Sequence, residues 1–355
     1  MPSFAKISFT LLAAIQLVAG ATYTLTDNYD QANFFDNFDF FSEADPTNGF
    51  VQYQNRINAA SQGLAGFHKD MIYVGSDHKT VDPANGRAST RINSKKTYTQ
   101  MLLVADVVHM PVGCGTWPAL WTYNADWPNK GEIDIIEGVN SQQSNQVTLH
   151  TAAGCTMTKG NTVDGTELSE TGDCNAGSGG TGCPQTTNST SNFGKGLNAQ
   201  GGGVYAMLWD NEAISVWFFP RNSTMQNRIT SSNSTIDPTT FGTPLASFVG
   251  GSTCNIENTF KEHWITINTD FCGQWAGLKW SEDAECAAKA ATCEEYAAQD
   301  PNAFVDAYWL FNSIKVYSKS GSTGTPTPTT TTGFGGAPTA YAKRGMRFMP
   351  REYHA

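Results

Sequence analysis

The sequence predicts an all-β protein built as a two-sheet sandwich, and three observations carry that expectation. Short apolar runs recur between stretches of Gly, Asn, Ser and Thr, the pattern of strands and their turns. Aromatic residues are plentiful, with 9 Trp, 12 Tyr and 20 Phe, while 34 glycines punctuate the 355-residue chain. Helical signal is sparse: the Ala- and Glu-rich stretch Glu282 to Gln299 reads as a helical turn or two. Many strands with few helices favour one sheet packed on another.

The strands are placed by their apolar runs. These are Thr99 to His109, Ile133 to Ile136, Gln146 to His150, Val204 to Trp209 and Ala213 to Phe219. Trp264 to Asn268 follows, and Ser313 to Tyr317 reads as a closing strand. Between them lie long polar loops, above all Met157 to Gly203, which carries Cys174 and Cys183. Loops of that length are usually functional or cross-linked. The texture is uniform and without a fixed repeat, so residues 22–318 are expected to form one domain.

Both ends differ from that body. Lys6 precedes an apolar stretch from Ile7 to Val18, broken by Gln16, and then Ala19-Gly20-Ala21. The run is too short to span a bilayer, so residues 1–21 read as a cleaved secretory signal rather than a membrane anchor. The expected location is therefore secreted, extracellular or associated with a cell wall. Residues 319–355 read as a Ser/Thr/Pro/Gly-rich linker and a disordered basic tail with Lys343, Arg344, Arg347 and Arg351. No hydrophobic end follows them to signal a lipid anchor.

Eight cysteines in a secreted chain are expected as disulfides. Cys286 and Cys293 would close a short loop and are the first pair expected. A zinc site is the weaker reading, because no CxxC pair is present. Sequons begin at Asn188, Asn222 and Asn233. Net charge is −10, which repels nucleic acid, anionic membranes and sulfated polysaccharides and leaves a neutral polymer as the better partner.

The segment that carries chemistry is Gly131-Glu132-Ile133-Asp134-Ile135-Ile136-Glu137-Gly138. On a regular strand Glu132 and Asp134 share a face, and Glu137 points away. One extra residue, a β-bulge at Ile135-Ile136, would bring all three together, and bulges re-aim side chains beside active sites. Glycoside hydrolysis with retention needs two carboxyl groups about 5 to 5.5 Å apart, a separation one bulged strand can provide. Asp134 is placed to hydrogen-bond Glu132, and mutual repulsion would keep one carboxyl protonated. A Ca²⁺ site or a plain solvent-facing strand would explain the carboxylates equally from spacing alone. The surroundings favour the sugar reading. Trp117, Trp121, Tyr123 and Trp127 all lie within the fifteen residues before Glu132, and sugar C–H faces stack on aromatic planes. His150, at the end of the next strand, is placed to face the same cleft.

Taken together, these residues resemble a known family. Cys114-Gly-Thr-Trp-Pro-Ala-Leu-Trp121, Asp126-Trp-Pro-Asn129, Glu132-Ile-Asp-Ile-Ile-Glu137-Gly-Val-Asn140 and Thr148-Leu-His150 closely resemble glycoside hydrolase family 16. Within it, the likeness is to the fungal endo-1,3(4)-β-glucanases, or laminarinases, and extends from about Thr22 to Tyr317. The resemblance implies a concanavalin-like β-jelly-roll sandwich with a substrate cleft across its concave sheet. It also implies a secreted retaining endo-β-glucanase cutting internal β-1,3 linkages, with mixed β-1,3/1,4 glucans as an extension. Glu132 looks like the nucleophile, Glu137 like the acid/base and Asp134 like the assisting carboxylate. Trp121, Trp127 and Trp275 resemble sugar-contacting tryptophans, His150 the cleft histidine and Arg91 a cleft arginine. No cofactor is implied. A structural Ca²⁺ is compatible with the sandwich, but no metal ligand set is assignable. The expected partner is a β-glucan, with no nucleic acid or membrane, and the expected state is a monomer. Two rivals remain open: a cell-wall glucan or chitin transglycosylase of the same superfamily, and a non-catalytic lectin on the same fold.

Overall fold

A computed structural model describes residues 22–169, 171–177 and 181–320. The expected signal over residues 1–21 and the tail from residue 321 lie outside the described residues. Two large antiparallel sheets account for most of the strands. One has eight strands, in the order Glu167–Leu168, Cys183–Thr186, Gln146–His150, Glu132–Glu137, Thr116–Tyr123, Trp264–Phe271, Arg91–Ser94 and Phe38–Phe41. The other has ten, with Ala213–Pro220, Gly203–Trp209, Met101–His109, Tyr308–Lys319 and Tyr23–Tyr29 as consecutive neighbours in its middle. The all-β jelly-roll expectation holds.

The burial pattern explains why the two sheets read differently in sequence. In Met101–His109, Leu103, Ala105 and Val107 enter the core shared with the other sheet. Leu102 and Val104 enter a second cluster on the opposite face, with Trp217, Phe219, Tyr317 and Ile229. Ile229 belongs to helix Thr224–Ser231, which helps to cover that face. A strand buried on both faces has no reason to alternate, hence its continuous apolar run. The eight-stranded sheet has one core face, lined by Ile92, Leu120, Ile133, Leu149, Ile265 and Ile267, and one polar-aromatic face. That second face carries the site.

Strand bounds agree with expectation for Gln146–His150, and the closing strand is longer, Tyr308–Lys319. The stretch from 157 to 203, expected as a loop, holds short strands Thr158–Lys159, Glu167–Leu168 and Cys183–Thr186 and helix Gly194–Ala199. Each strand there has four residues or fewer, too few to show a period.

The disulfides correct one expectation. Cys286 pairs with Cys114 and Cys293 with Cys272, so Cys286 and Cys293 do not bond to each other. The reason is where the segment lies. Helices Ala284–Ala287 and Cys293–Gln299 pack on the ends of the neighbouring strands that pair Thr116 with Phe271, and each helix is stapled to a different strand end. Trp280, Phe271 and Phe304 fill the cluster around these four sulfurs. Cys174–Cys183 and Cys155–Cys254 complete the set.

Candidate active site

Strand Glu132–Glu137 carries the bulge its carboxylate spacing requires. Against Thr116–Tyr123, Asp134 pairs with Trp121 and Ile136 with Leu120, so Ile135 is the extra residue. Against Gln146–His150, Asp134 pairs with Thr148 and Glu137 with Gln146, again one residue too many. Ile135 and Ile136 are both fully buried in the core. Glu137 consequently pairs with Ala119, in line with Trp121 and Tyr123 opposite Asp134 and Glu132, and all three carboxylates share the polar-aromatic face.

The same face continues across neighbouring strands. His150 lies directly opposite Glu132. Trp264, Thr266, Asn268 and Asp270 sit opposite Tyr123, Trp121, Ala119 and Trp117, and Arg91 lies opposite Asn268. The carboxylates thus lie in a row of aromatic and amide side chains on an open sheet. A separate cavity of about 290 Å³, between the Gly138 to Gln143 turn and the start of helix Gly194–Ala199, contains none of them.

Each carboxylate has specific partners. Trp127 Nε1 donates to Glu132 Oε2. Asp134 stands next but one to Glu132 on the same strand face, and the two carboxyls act on each other directly. His150 Nε2 lies 3.3 Å from Asp134 Oδ2. Trp117 Nε1 donates to Glu137 Oε1 at 2.9 Å.

Burial is the largest influence on all three carboxyls. It pushes Glu132 up to about 8, assisted by the charge of Asp134 and opposed by His150 and the Trp127 N–H. It pushes Glu137 up to about 7, against the Trp117 N–H and His150. Asp134, 1% exposed, is held well above the usual carboxylate range by burial and by the charge of Glu137. Three carboxyls this close cannot all ionise near neutral pH.

The approach to Glu132 is held from behind. The imidazole of His263 is fully buried, with Nε2 2.7 Å from the Lys130 carbonyl oxygen and Nδ1 2.9 Å from Thr122 Oγ1. The carbonyl can only accept, so Nε2 carries the proton and the Thr122 hydroxyl donates to Nδ1. Burial lowers this histidine to about 4, which keeps it neutral. Gly131 follows at φ +76°, and a Cβ there would lie 2.4 Å from the Phe260 ring, so only glycine fits.

The expected binding residues fall on or beside this face. Trp127 is 46% exposed, with its indole N–H on Glu132. Trp121 stacks on Tyr123 at 4.6 Å and donates to Asn268 Oδ1. Trp275, on the short helix Gly273–Gly277, meets Trp117 edge-on at 5.7 Å. Arg91 is 5% exposed, its guanidinium over the rings of Phe41, Trp121 and Tyr123. It supports the aromatic row more than it presents charge to solvent. Trp117 makes the one contact to these carboxylates that sequence reasoning passed over. It was visible only as one aromatic among four, and its indole N–H reaches Glu137 because the bulge turns Glu137 toward it. Glu132, Asp134 and His150 offer ligand atoms within 4.8 Å of one another, the one group among the described residues with a metal-like donor set.

Comparison with known proteins agrees with this geometry. A family profile described as "XgeA-like, catalytic GH16 domain" matches residues 38–317. The endo-1,3(4)-β-glucanase of Arthroderma benhamiae is 42% identical over 313 residues, covering 87% of this chain and 68% of that protein. Endo-1,3(4)-β-glucanase xgeA of Emericella nidulans is 39% identical, with 86% of this chain and 49% of that protein covered. The chain thus spans about half to two thirds of the length of these relatives. Among solved structures, laminarinase 16A of Phanerochaete chrysosporium, with 6-O-glucosyl-laminaritriose in donor and acceptor sites, superposes with TM-score 0.78. It is 42% identical and covered over its whole length, against 84% of this chain. An elongating GH family 16 β-1,3-glucosyltransferase superposes with TM-score 0.75 at 37% identity, covering 83% of this chain and 100% of that one.

Proposed function

This chain belongs to glycoside hydrolase family 16, and on that premise we propose that it is a secreted endo-β-glucanase cutting internal β-1,3 bonds with retention. The observation that carries the proposal is the bulged strand Glu132–Glu137, which gathers three carboxylates on one face between Trp117 and Trp127. The substrate class follows from relatives named as endo-1,3(4)-β-glucanases and from a laminarinase holding a β-glucan oligosaccharide. Mixed-linkage glucans are the natural second substrate on the same argument. Four disulfides, and no described helix long and apolar enough to cross a membrane, are consistent with a secreted protein.

The surroundings of each carboxyl support one division of roles. Asp134 is the more deeply buried of the first pair, while Glu132 already accepts the Trp127 N–H. We place the proton of this pair on Asp134, facing an ionised Glu132, although Asp134 acts to raise Glu132 and Glu132 acts to lower Asp134, which taken alone would put it on Glu132. Glu132 is then the nucleophile. Glu137, with a raised pKa, keeps a proton near neutrality and serves as the acid. A Glu132 oxygen attacks the anomeric carbon as the glycosidic C–O bond breaks, and Glu137 gives its proton to the departing oxygen. Glu137, now ionised, takes a proton from water. That water's oxygen attacks the anomeric carbon and releases Glu132. The double displacement uses only these carboxyls, so no cofactor is needed. Trp121, Trp127, Trp275 and His150 supply stacking and hydrogen bonds to the sugar rings, and the open sheet suits a monomer acting on the middle of a chain.

Proton NMR of the first products from laminarin tests the mechanism. The β-anomer should appear first, and initial release of the α-anomer overturns the retaining assignment. Glu132→Gln should fold normally and lose nearly all activity. Substantial remaining activity removes Glu132 from the nucleophile role. The likeness to a β-1,3-glucosyltransferase favours one second reading, transfer to a sugar acceptor instead of water. Product sizing on a long β-1,3-glucan separates the two, since products longer than the substrate indicate transfer.

A further inference from the structure

We propose that Asn145 is a positioning residue for the acid/base: its side chain bridges the bulge and fixes the aim of Glu137. The inference rests on the reading of Glu137 as acid/base. A bulge leaves backbone groups of the bulged strand without ladder partners. In the core of a sandwich no bulk water replaces them, and each unpaired group would cost free energy. Asn145 supplies both missing bonds. Its Nδ2 donates to the Ile135 carbonyl oxygen at 2.8 Å, and its Oδ1 accepts from the Glu137 amide at 3.0 Å. One carboxamide thus spans the extra residue and ends on the amide of the residue whose carboxyl must be aimed.

The carboxamide is itself held. Asn145 is fully buried, immediately before strand Gln146–His150. Its own amide donates to Asn192 Oδ1 at 3.3 Å, and Asn192 Nδ2 donates to Thr187 Oγ1 at 3.0 Å. The hydroxyl of Tyr205, from the ten-stranded sheet, donates to the Asn192 carbonyl. Donor and acceptor must sit side by side at this spacing, a requirement that Asp, Leu and Ser all fail. Glu137 receives a second fix at its far end from the Trp117 N–H, so its backbone and its carboxyl are each constrained.

An acid catalyst that is misaimed loses rate in proportion to how much the leaving group needs a proton. That supplies a readout a general loss of structure would not give. In Asn145→Ala, kcat/KM on laminarin should fall about a hundredfold, the scale of a displacement of roughly 1 Å at a catalytic group. On a dinitrophenyl β-glucoside of laminaribiose, whose leaving group departs unprotonated, kcat/KM should fall less than about threefold, because kcat/KM reports the first displacement. Asn145→Asp keeps an acceptor for the Glu137 amide and loses the donor to Ile135, and should fall between. Glu137→Gln is the control. If it fails to spare the aryl substrate, the reading of Glu137 is wrong. If it spares the aryl substrate and both folded Asn145 variants lose the two activities equally, the positioning role is overturned. Failure of both variants to fold would make Asn145 a residue of stability alone and would equally overturn it.

Discussion

The Trp117 indole gives the sharpest test of how Glu137 is tuned. Its N–H donates to Glu137 Oε1 at 2.9 Å and is the leading influence opposing burial on that carboxyl. Trp117→Phe keeps a ring against Trp275 and deletes only the donor. A hydrogen bond to a charged partner is worth about 1.5–3 kcal/mol net, and part of it survives with the neutral acid. A differential of roughly 1.4 kcal/mol corresponds to about one pKa unit. The donor favours the ionised form, so its removal raises Glu137 above its present value of about 7. The basic limb of the kcat/KM profile on laminarin, which reports loss of the acid's proton in the free enzyme, should then move up by about one unit. Stability carries the same sign. A carboxyl raised in the folded state stabilises fully below its unfolded value of 4.5 and loses that contribution as pH rises through about 7. Removing the donor deepens the loss only on the alkaline side. A basic limb that stays in place or moves down, in a variant with wild-type melting at acid pH, would refute the tuning argument.

Other expectations follow from the same contacts. Asp134→Asn keeps a donor toward Glu132 and should retain about a tenth of wild-type kcat, whereas Asp134→Leu removes it and should fall by roughly a thousandfold. Equal loss in both variants would take the proton off Asp134. Replacing Glu132 and Asp134 together by their amides should raise melting above wild type by a margin that widens from pH 5 to pH 8, since burial holds the pair's proton in the folded state and the unfolded chain gives it up. A margin independent of pH contradicts that. Replacing Cys272 and Cys293 together by Ala opens a loop of 21 residues and should cost about 3 kcal/mol by chemical unfolding. Because Cys272 begins the turn that carries Trp275, KM for laminarin should rise more than kcat falls.

The sequence made the catalytic strand unusually legible, because its chemistry contradicts its own period. Three carboxylates among isoleucines at 132, 134 and 137 can share a face only through a bulge, and the register places the extra residue at Ile135. Long runs such as Met101–His109 were legible for the opposite reason, since burial on both faces leaves nothing polar to interrupt them. Short strands at the sheet edges were not, because the two residues of each (Thr-Lys, Glu-Leu and Thr-Ile) carry no period. The sulfur pairing was hidden as well. Proximity in sequence favours Cys286 with Cys293, but the partner of each is set by two strand ends that become neighbours only after the sheet forms. Trp117 and Asn145 belong to the same class, as both contacts depend on a Glu137 side chain or amide that the bulge has turned.

These hidden contacts explain how so costly a site is kept in one geometry. Three carboxyls raised by burial repel one another and weaken the fold as pH rises. A regular strand would relieve the strain by sending Glu137 to the other face. The bulge forbids that while Ile135 and Ile136 stay in the core, because a regular strand would turn Ile136 out to the polar face and bury Glu137 in its place. The apolar pair between the acids is thus the counterweight to them. Side-chain donors on Glu132 and Glu137, and the amide bridge of Asn145, then fix what the core has only oriented. On this argument, changing Ile135 or Ile136 should disturb catalysis as surely as changing a carboxylate, through register rather than charge.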